Sequence, residues 1–280
     1  MNTSTPFSLN CNKQLIGLKT PVVMGIINAT PDSFYDGGTN LTIKNALTTA
    51  TQMLAQGATF LDIGGYSSRP GATNILLEEE LDRVLPVISA ILEKHPEAIV
   101  SIDTFRSQVA QKAIEAGACI VNDITAGLGD PEMLGTVAKL QVTYVMMHMR
   151  GTPQTMKSLT DYEDLMSEVK QYFSDRISAA KAAGIKDIII DPGFGFAKNT
   201  AQNFTLLKQL ASLQQFNVPI LAGLSRKSMI YKTLDCSPQE ALNGTTALNA
   251  LALQAGTNIL RVHDVAAAIE VVKLYSALKK

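Results

Sequence analysis

Apolar residues in this chain gather into short runs, and nearly every run ends on, or carries, a polar residue. Residues 22–27 stop at Asn28, and residues 60–63 enclose Asp62. Further runs lie at 99–102, 120–121, 143–147, 188–190, 220–222 and 259–262. In or just past them stand Asp103, Asn122, His148, Asp191, Ser225 with Lys227, and Arg261 with His263. Continuous runs of this length read as strands buried on both faces. Longer stretches with helical spacing separate them, at 43–56, 76–94, 107–116, 131–140, 162–183, 201–214, 241–254 and 265–278. Thr42, Asp161, Thr200 and Asp264 stand where those helices want an N-cap. Gly57, Gly117, Gly184 and Gly256 each close a helical stretch just before the next strand, the place where a left-handed residue is needed.

A helix–glycine–strand phrase repeated in this way implies a parallel sheet. About eight units in about 260 residues match a (β/α)8 TIM barrel, here filling roughly 20–280 of one domain, 1–280. A doubly wound open sheet is the alternative, but it favours a GxGxxG fingerprint after the first strand, and none is present. Residues 1–20 are polar and irregular; Phe7-Ser-Leu and Gln14-Leu-Ile pair as a short hairpin that plugs one end of the barrel.

Composition narrows the function. The chain has 280 residues, 46% of them apolar, and a net charge of -1. That suits a substantial core and offers no electrostatic footprint for nucleic acid. No apolar run approaches the roughly 18 residues of a membrane span. Nor does the N-terminus read as a signal peptide. Cys11, Cys119 and Cys236 lie far apart, form no CxxC pair and read as reduced thiols. The expectation is a cytoplasmic protein with neither nucleic-acid nor membrane partners.

In a barrel the chemistry sits where strands finish. An Asp or Asn there is often only a helix cap, and Asp264 reads that way. Asp62 serves the fold or orients its neighbours. Asp191, in Asp191-Pro192-Gly193-Phe194-Gly195-Phe196, is a buried carboxylate of the kind that suits a heterocycle presenting two adjacent N–H donors. Asn122 can both donate to and accept from the same ring, and Asp103 adds a second carboxylate. Arg261 and His263 alternate at the start of the last helix, and two donors beside a helix N-terminus make an anion site. His95, His148 and His263 have no metal-ligand spacing. His148 lines or supports the pocket, and the methionines around it, Met147 among them, read as core and pocket wall.

Several segments together carry a resemblance. They are Met24-Gly-Ile-Ile-Asn28-Ala-Thr-Pro-Asp-Ser-Phe-Tyr-Asp-Gly-Gly38, Ile63-Gly-Gly-Tyr66-Ser-Ser68-Arg69-Pro70-Gly71, Ser101-Ile-Asp103-Thr-Phe-Arg106 and Met146-Met-His-Met-Arg-Gly-Thr-Pro-Gln-Thr-Met156, followed by the Asp191 segment, Gly223-Leu-Ser-Arg-Lys-Ser-Met229 and Arg261-Val-His-Asp264. In this order, across about 22–275, they resemble the dihydropteroate synthases. The resemblance implies attack by the amine of p-aminobenzoate on 6-hydroxymethyl-7,8-dihydropterin diphosphate, giving 7,8-dihydropteroate and pyrophosphate in folate biosynthesis. It implies pterin contacts from Asp103, Asn122 and Asp191, and Lys227 against the pterin carbonyl and ring nitrogen, with Gly223 in the same substrate site. Phe196 and Ser225 fall to the p-aminobenzoate side. Arg261 and His263 would hold the diphosphate, and Asn28 an oxygen of that group or its Mg2+. The catalytic set is then Asp103, Lys227, Arg261 and His263.

The second loop, with Ser68, Arg69 and Pro70, would close over p-aminobenzoate. Ser68 stands where threonine is usual and Tyr66 where an acidic residue is common. Arg69 is a loop contact, an anion contact or a surface arginine. The family also implies a homodimer, through helices near the C-terminus, and competition by sulfonamides. A methyltetrahydrofolate-dependent methyltransferase would share the pterin contacts but not need the Arg-x-His anion site or the Ser-Arg-Pro loop; a non-catalytic pterin-binding protein would not need the full polar set. The same reading expects Arg261→Ala or Asp103→Ala largely to abolish turnover and leave the barrel folded.

Overall fold

The computed structural model describes residues 7–11, 14–29, 38–67 and 74–279, with the side chains of 38–41 left aside. Strands β1 (Ser8–Cys11) and β2 (Gln14–Gly17) form an antiparallel hairpin. Eight parallel strands follow: β3 (Val22–Asn28), β4 (Phe60–Gly64), β5 (Ile99–Asp103), β6 (Ile120–Asp123), β7 (Thr143–Met147), β8 (Ile188–Asp191), β9 (Leu221–Ala222) and β10 (Ile259–Val262). Their order is β8-β7-β6-β5-β4-β3-β10-β9, and a parallel bridge from Ile190 to Ile220 joins the two ends into a ring. This is the eight-stranded barrel expected from the sequence.

Strand parity explains why the runs look continuously apolar. Val23, Leu61, Val100, Val121, Tyr144, Ile188, Ile190 and Leu260 pack outward with the helices in one large cluster. Met24, Phe60, Ile120, Val145, Ile189, Leu221 and Ile259 form a second cluster with Leu9, Cys11 and Leu18 of the hairpin. The hairpin therefore closes the barrel end from which the strands start. One step further along, the same inward parity places Asp62, Ser101, Asp103, Asn122, Asp191 and Arg261 at the other end. Asp123 has the opposite parity: it takes the Tyr144 hydroxyl at 2.6 Å and the Gly127 amide at 2.7 Å, and serves the fold.

The helices are α1 (Gly38–Ala55), α2 (Leu77–Lys94), α3 (Ser107–Glu115), α4 (Met133–Leu140), α5 (Leu165–Ala183), α6 (Thr200–Lys208), α7 (Ser228–Thr233), α8 (Leu242–Gln254) and α9 (Val265–Leu278). The short α7 was not foreseen. The expected 201–214 helix splits, because residues Leu210–Phe216 tighten to a 3-10 turn that buries both Leu210 and Leu213.

The caps differ from expectation too. α1 begins four residues before Thr42. Asp164, not Asp161, caps α5 through the Ser167 amide, since the Tyr162 hydroxyl is tied to Ala197 O and holds that segment out of the helix. Asn199 caps α6 in a reciprocal box with Gln202, one residue before Thr200. Asp264 occupies the N-cap position of α9 but makes no cap bond, because its carboxylate is taken by Arg226.

Candidate active site

Arg261 organises the barrel mouth. Its Nε donates to Asp62 Oδ2 at 2.6 Å and its Nη2 to Asp103 Oδ2 at 2.7 Å. Asn122 Nδ2 donates to the same Asp62 oxygen at 2.9 Å. Asp62 is 0% exposed, so its charge depends on these partners. Burial works against the Arg261 charge, but Asp62 and Asp103 more than reverse that and its pKa rises. Burial pushes Asp103 up to about 7, opposed by Arg261 and reinforced by Asp62. Among the described residues two of the five guanidinium N–H groups are used, and the other three can serve a ligand. The Arg261 side chain thus holds two carboxylates, fully buried Asp62 and partly buried Asp103, so its removal bears on stability as well as on turnover.

Asp191 stands across the mouth. It is buried, and Oδ1 accepts the Gly193 amide at 2.8 Å. Oδ2 accepts no hydrogen bond among the described residues and faces Gly223, where an added Cβ would come to 3.9 Å. Burial raises the Asp191 pKa; the Gly193 amide, Lys227, Arg261 and Lys198 oppose it. Lys227 Nζ lies 4.5 Å from the Phe196 ring centroid. Phe196, Met147, Ile124, Met149 and Met156 form an apolar cluster at this end of the barrel. An apolar wall beside a buried acceptor is what a flat polar heterocycle needs.

Beside Arg261, the Ser225 oxygen accepts the His263 amide at 3.2 Å and lies 3.0 Å from His263 Nδ1. The direction of the bond to Nδ1 follows the imidazole tautomer, since the hydroxyl can accept a second hydrogen or donate its own. Burial, then Arg261 and Arg226, pull His263 down to about 4, so the ring is neutral. Ser225 thus supports His263. The backbone at Arg226 is left-handed (φ 55°), and its side chain grips Asp264 in two bonds of 2.9 and 2.7 Å. That pair ties the Gly223–Lys227 turn to the end of β10.

The structure brings Asp103, Asn122, Asp191, Met147, Phe196, Gly223, Ser225, Lys227, Arg261 and His263 to one end of the barrel. Asn28 ends β3 exposed at this same end, level with Gly64 and Asp103 in the strand register. Ser68, Arg69 and Pro70 lie outside the described residues, as does the first loop from 30 to 37. Tyr66 meets Phe105 edge-on at 5.1 Å, and its hydroxyl takes Gln154 Nε2 at 2.8 Å. His148 is buried and held down to about 2 by burial, then Lys198 and Arg150, so it supports the site as a neutral group.

The family model described as pterin binding enzyme matches residues 24–263. The dihydropteroate synthase of Synechocystis sp. is 46% identical over 263 residues, covering 93% of this chain and 91% of that one. The chain belongs to the dihydropteroate synthase family of pterin-binding enzymes. The Escherichia coli dihydropteroate synthase is 42% identical over 264 residues, covering 94% of this chain and 93% of its own. Among solved structures, the Xanthomonas albilineans dihydropteroate synthase with 4-aminobenzoic acid superposes with a TM-score of 0.92 at 42% identity, covering 98% of this chain and 99% of that chain. The same enzyme in complex with 7,8-dihydropteroate gives a TM-score of 0.87 at 39% identity, covering 98% and 99%.

Within this family member the sequence reading missed two groups. The Arg226–Asp264 pair was hidden because Asp264 fits a cap position. Lys198 follows the Asp191 turn and is 7% exposed; the only signal was a lysine set between Phe196-Ala197 and the Asn199 cap.

Proposed function

We infer that this chain condenses 6-hydroxymethyl-7,8-dihydropterin diphosphate with p-aminobenzoate, releasing pyrophosphate and forming 7,8-dihydropteroate. One observation carries the reading: a buried carboxylate with an open oxygen, Asp191, faces an arginine with spare donors, Arg261, across a single barrel mouth. The first suits the pterin edge and the second the diphosphate. Relatives solved with 4-aminobenzoic acid and with 7,8-dihydropteroate support it.

In this reading Asp191 accepts the pterin amino and ring N–H groups, and Asn122 pairs with the ring through its carbonyl and remaining amide hydrogen. Lys227 lies over Phe196 and offers its ammonium to the pterin carbonyl. An aryl amine is already a nucleophile when neutral, so no activating base is required. The difficult part is departure of the leaving group, which Arg261 and His263 would stabilise. If the C–O bond breaks first, the Asp103 carboxylate is placed to offset positive charge at the pterin methylene. An isotope effect at that methylene is the expected sign of this route, and its absence would exclude it.

No group of three or more His, Cys, Asp or Glu among the described residues makes a metal cage. The donor set fits Mg2+, which keeps most of its water and relies on substrate phosphates. Asn28 would be its protein contact. When bound, the ion would offset charge on the diphosphate.

A homodimer belongs to the same reading. Leu242 and Leu251 on α8 and Leu274 and Leu278 on α9 are exposed apolar side chains on helices that pack together. Sulfonamides would compete for the p-aminobenzoate side, as the Yersinia pestis relative solved with a sulfonamide suggests. No helix among the described residues is long and apolar enough to cross a membrane, and we place the enzyme in the cytoplasm.

The test is pyrophosphate release by the purified protein with the pterin diphosphate and Mg2+, with and without p-aminobenzoate. Release coupled to dihydropteroate is expected. Pterin binding without any product would overturn the reading.

A further inference from the structure

The turn after Asp191 has an unusual backbone. Gly193 (φ 71°), Gly195 (φ 82°) and Ala197 (φ 48°) are all left-handed within five residues. Gly193 has no substitute, since a Cβ there would lie 2.1 Å from His148 O. Ala197 adopts this region without glycine's freedom, so its surroundings must hold it there.

Lys198 supplies much of the hold. Its side chain turns back under the loop, and Nζ donates to Gly193 O at 3.1 Å and Phe196 O at 3.0 Å. The third contact is His148 Nδ1 at 2.9 Å. An ammonium has three N–H groups, and here each has an acceptor. That requires His148 to be neutral with its proton on Nε2, as its depressed pKa demands. Asn203 braces the other side, taking the Gly195 amide at 2.7 Å and donating to Lys198 O at 3.2 Å. Burial draws the Lys198 ammonium down to about 7, and Asp191 pulls it back up. The influence is mutual: Lys198, with Lys227 on the β9–α7 turn and Arg261 on β10, favours the ionised form of Asp191. Arg150, from the segment after β7, acts against the charged forms of both Lys198 and His148, and Lys227 acts against that of Lys198.

We propose that Lys198 is a positioning residue for the reaction: its buried ammonium, seated on Gly193 O, Phe196 O and His148 Nδ1, sets the turn that aims Asp191 and Phe196 into the barrel mouth and keeps Asp191 ionised for the pterin edge. This rests on the role given to Asp191 above. Lys198 itself does not touch the substrate. It acts through the two residues it places.

The experiment uses the full chain and 6-hydroxymethylpterin as the probe. The dissociation constant is measured from pH 5 to 8 for wild type and for Lys198→Met, which keeps the volume and removes the charge and all three donors. Thermal midpoints are recorded alongside. Binding is expected to weaken about tenfold at pH 7, and the acid limb of binding to move up by about one pH unit, because the carboxylate has lost a cation. A structural role alone would lower the thermal midpoint without moving that limb. His148→Asn keeps an acceptor near the Nδ1 position and should rescue binding relative to His148→Leu, which gives a second readout if Lys198→Met does not fold. Wild type that binds with a normal acid limb, together with a Lys198→Met or His148→Leu protein of unchanged affinity and limb, would overturn the proposal alone. Wild type that binds no pterin at any pH would overturn the functional reading, and the proposal with it.

Discussion

Arg261 shows how one residue can serve stability and chemistry through the same atoms. Its bonds to Asp62 and Asp103 join positions 199 and 158 residues away in sequence. Inward parity of Asp62, Asp103 and Arg261 can be read from the short apolar runs, but no spacing rule says which carboxylate an arginine that far away will take. Arg261→Ala leaves Asp62 buried without its guanidinium partner and removes the cation that, among the described residues, is bonded to Asp103. Breaking a buried pair this way costs about 3–5 kcal/mol, so urea denaturation should show a loss of that order along with a fall in turnover on the order of 100-fold or more. Restored stability, but not activity, is expected on adding Asp62→Asn. Asp103 gives a pH signature as well. Burial raises its pKa from 3.8 to about 7, so the folded state holds the proton more tightly than the unfolded chain does. Its contribution to stability is fully present below about pH 4 and is lost as pH rises through about 7. Denaturation at stepped pH should show wild type losing stability relative to Asp103→Asn across that window, and parallel curves would contradict it.

Elements were legible in kind and less so at their ends. Strands could be counted because each is a short apolar run, and helices because glycine closes them. Their first residues depend on which of several polar side chains reaches a free amide. Before α5 the chain offers both Asp161 and Asp164, and composition does not choose between them. The choice follows from Tyr162, whose hydroxyl bonds Ala197 O and whose ring lies under the Arg150 guanidinium at 3.8 Å. With Tyr162 held by the turn after β8, the helix starts late and Asp164 meets the Ser167 amide at 2.9 Å. Asp164→Ala should therefore lower the thermal midpoint, whereas Asp161→Ala, whose backbone carbonyl is what Arg150 uses, should leave it in place. Equal effects of the two substitutions would mean that the helix begins earlier. The turn after Asp191 follows the same logic: its glycines announce a tight loop in the sequence, but the lysine that braces it acts on carbonyls, which have no sequence signature.

At the scale of the whole molecule the barrel separates its two ends. The inward layer of Met24, Phe60, Ile120, Val145, Ile189, Leu221 and Ile259 is fully packed, with Leu9, Cys11 and Leu18 of the hairpin sealing its lower side. The polar mouth lies beyond that layer, on the later residues of the same strands. This arrangement was legible because the alternation of inward and outward positions is a property of every strand, and an irregular segment with a few apolar residues ahead of a barrel has one obvious place to bury them. The loops over the mouth were not legible in this way, because their shape depends on ligand-facing residues with no periodic pattern. Separation of the ends makes a quantitative expectation. Leu9 is 1% exposed, and Leu9→Ala should cost about 2–5 kcal/mol through lost transfer energy and the cavity left behind. For a protein of this size that lowers the thermal midpoint by roughly 2–4 °C per kcal/mol. Because the packed layer stands between the hairpin and Asp191, Asp103 and Arg261, KM for both substrates should stay at the wild-type value at temperatures where the variant is folded. A KM that rises in step with the loss of stability would show that the layer transmits strain to the mouth, and that the hairpin helps to shape the site.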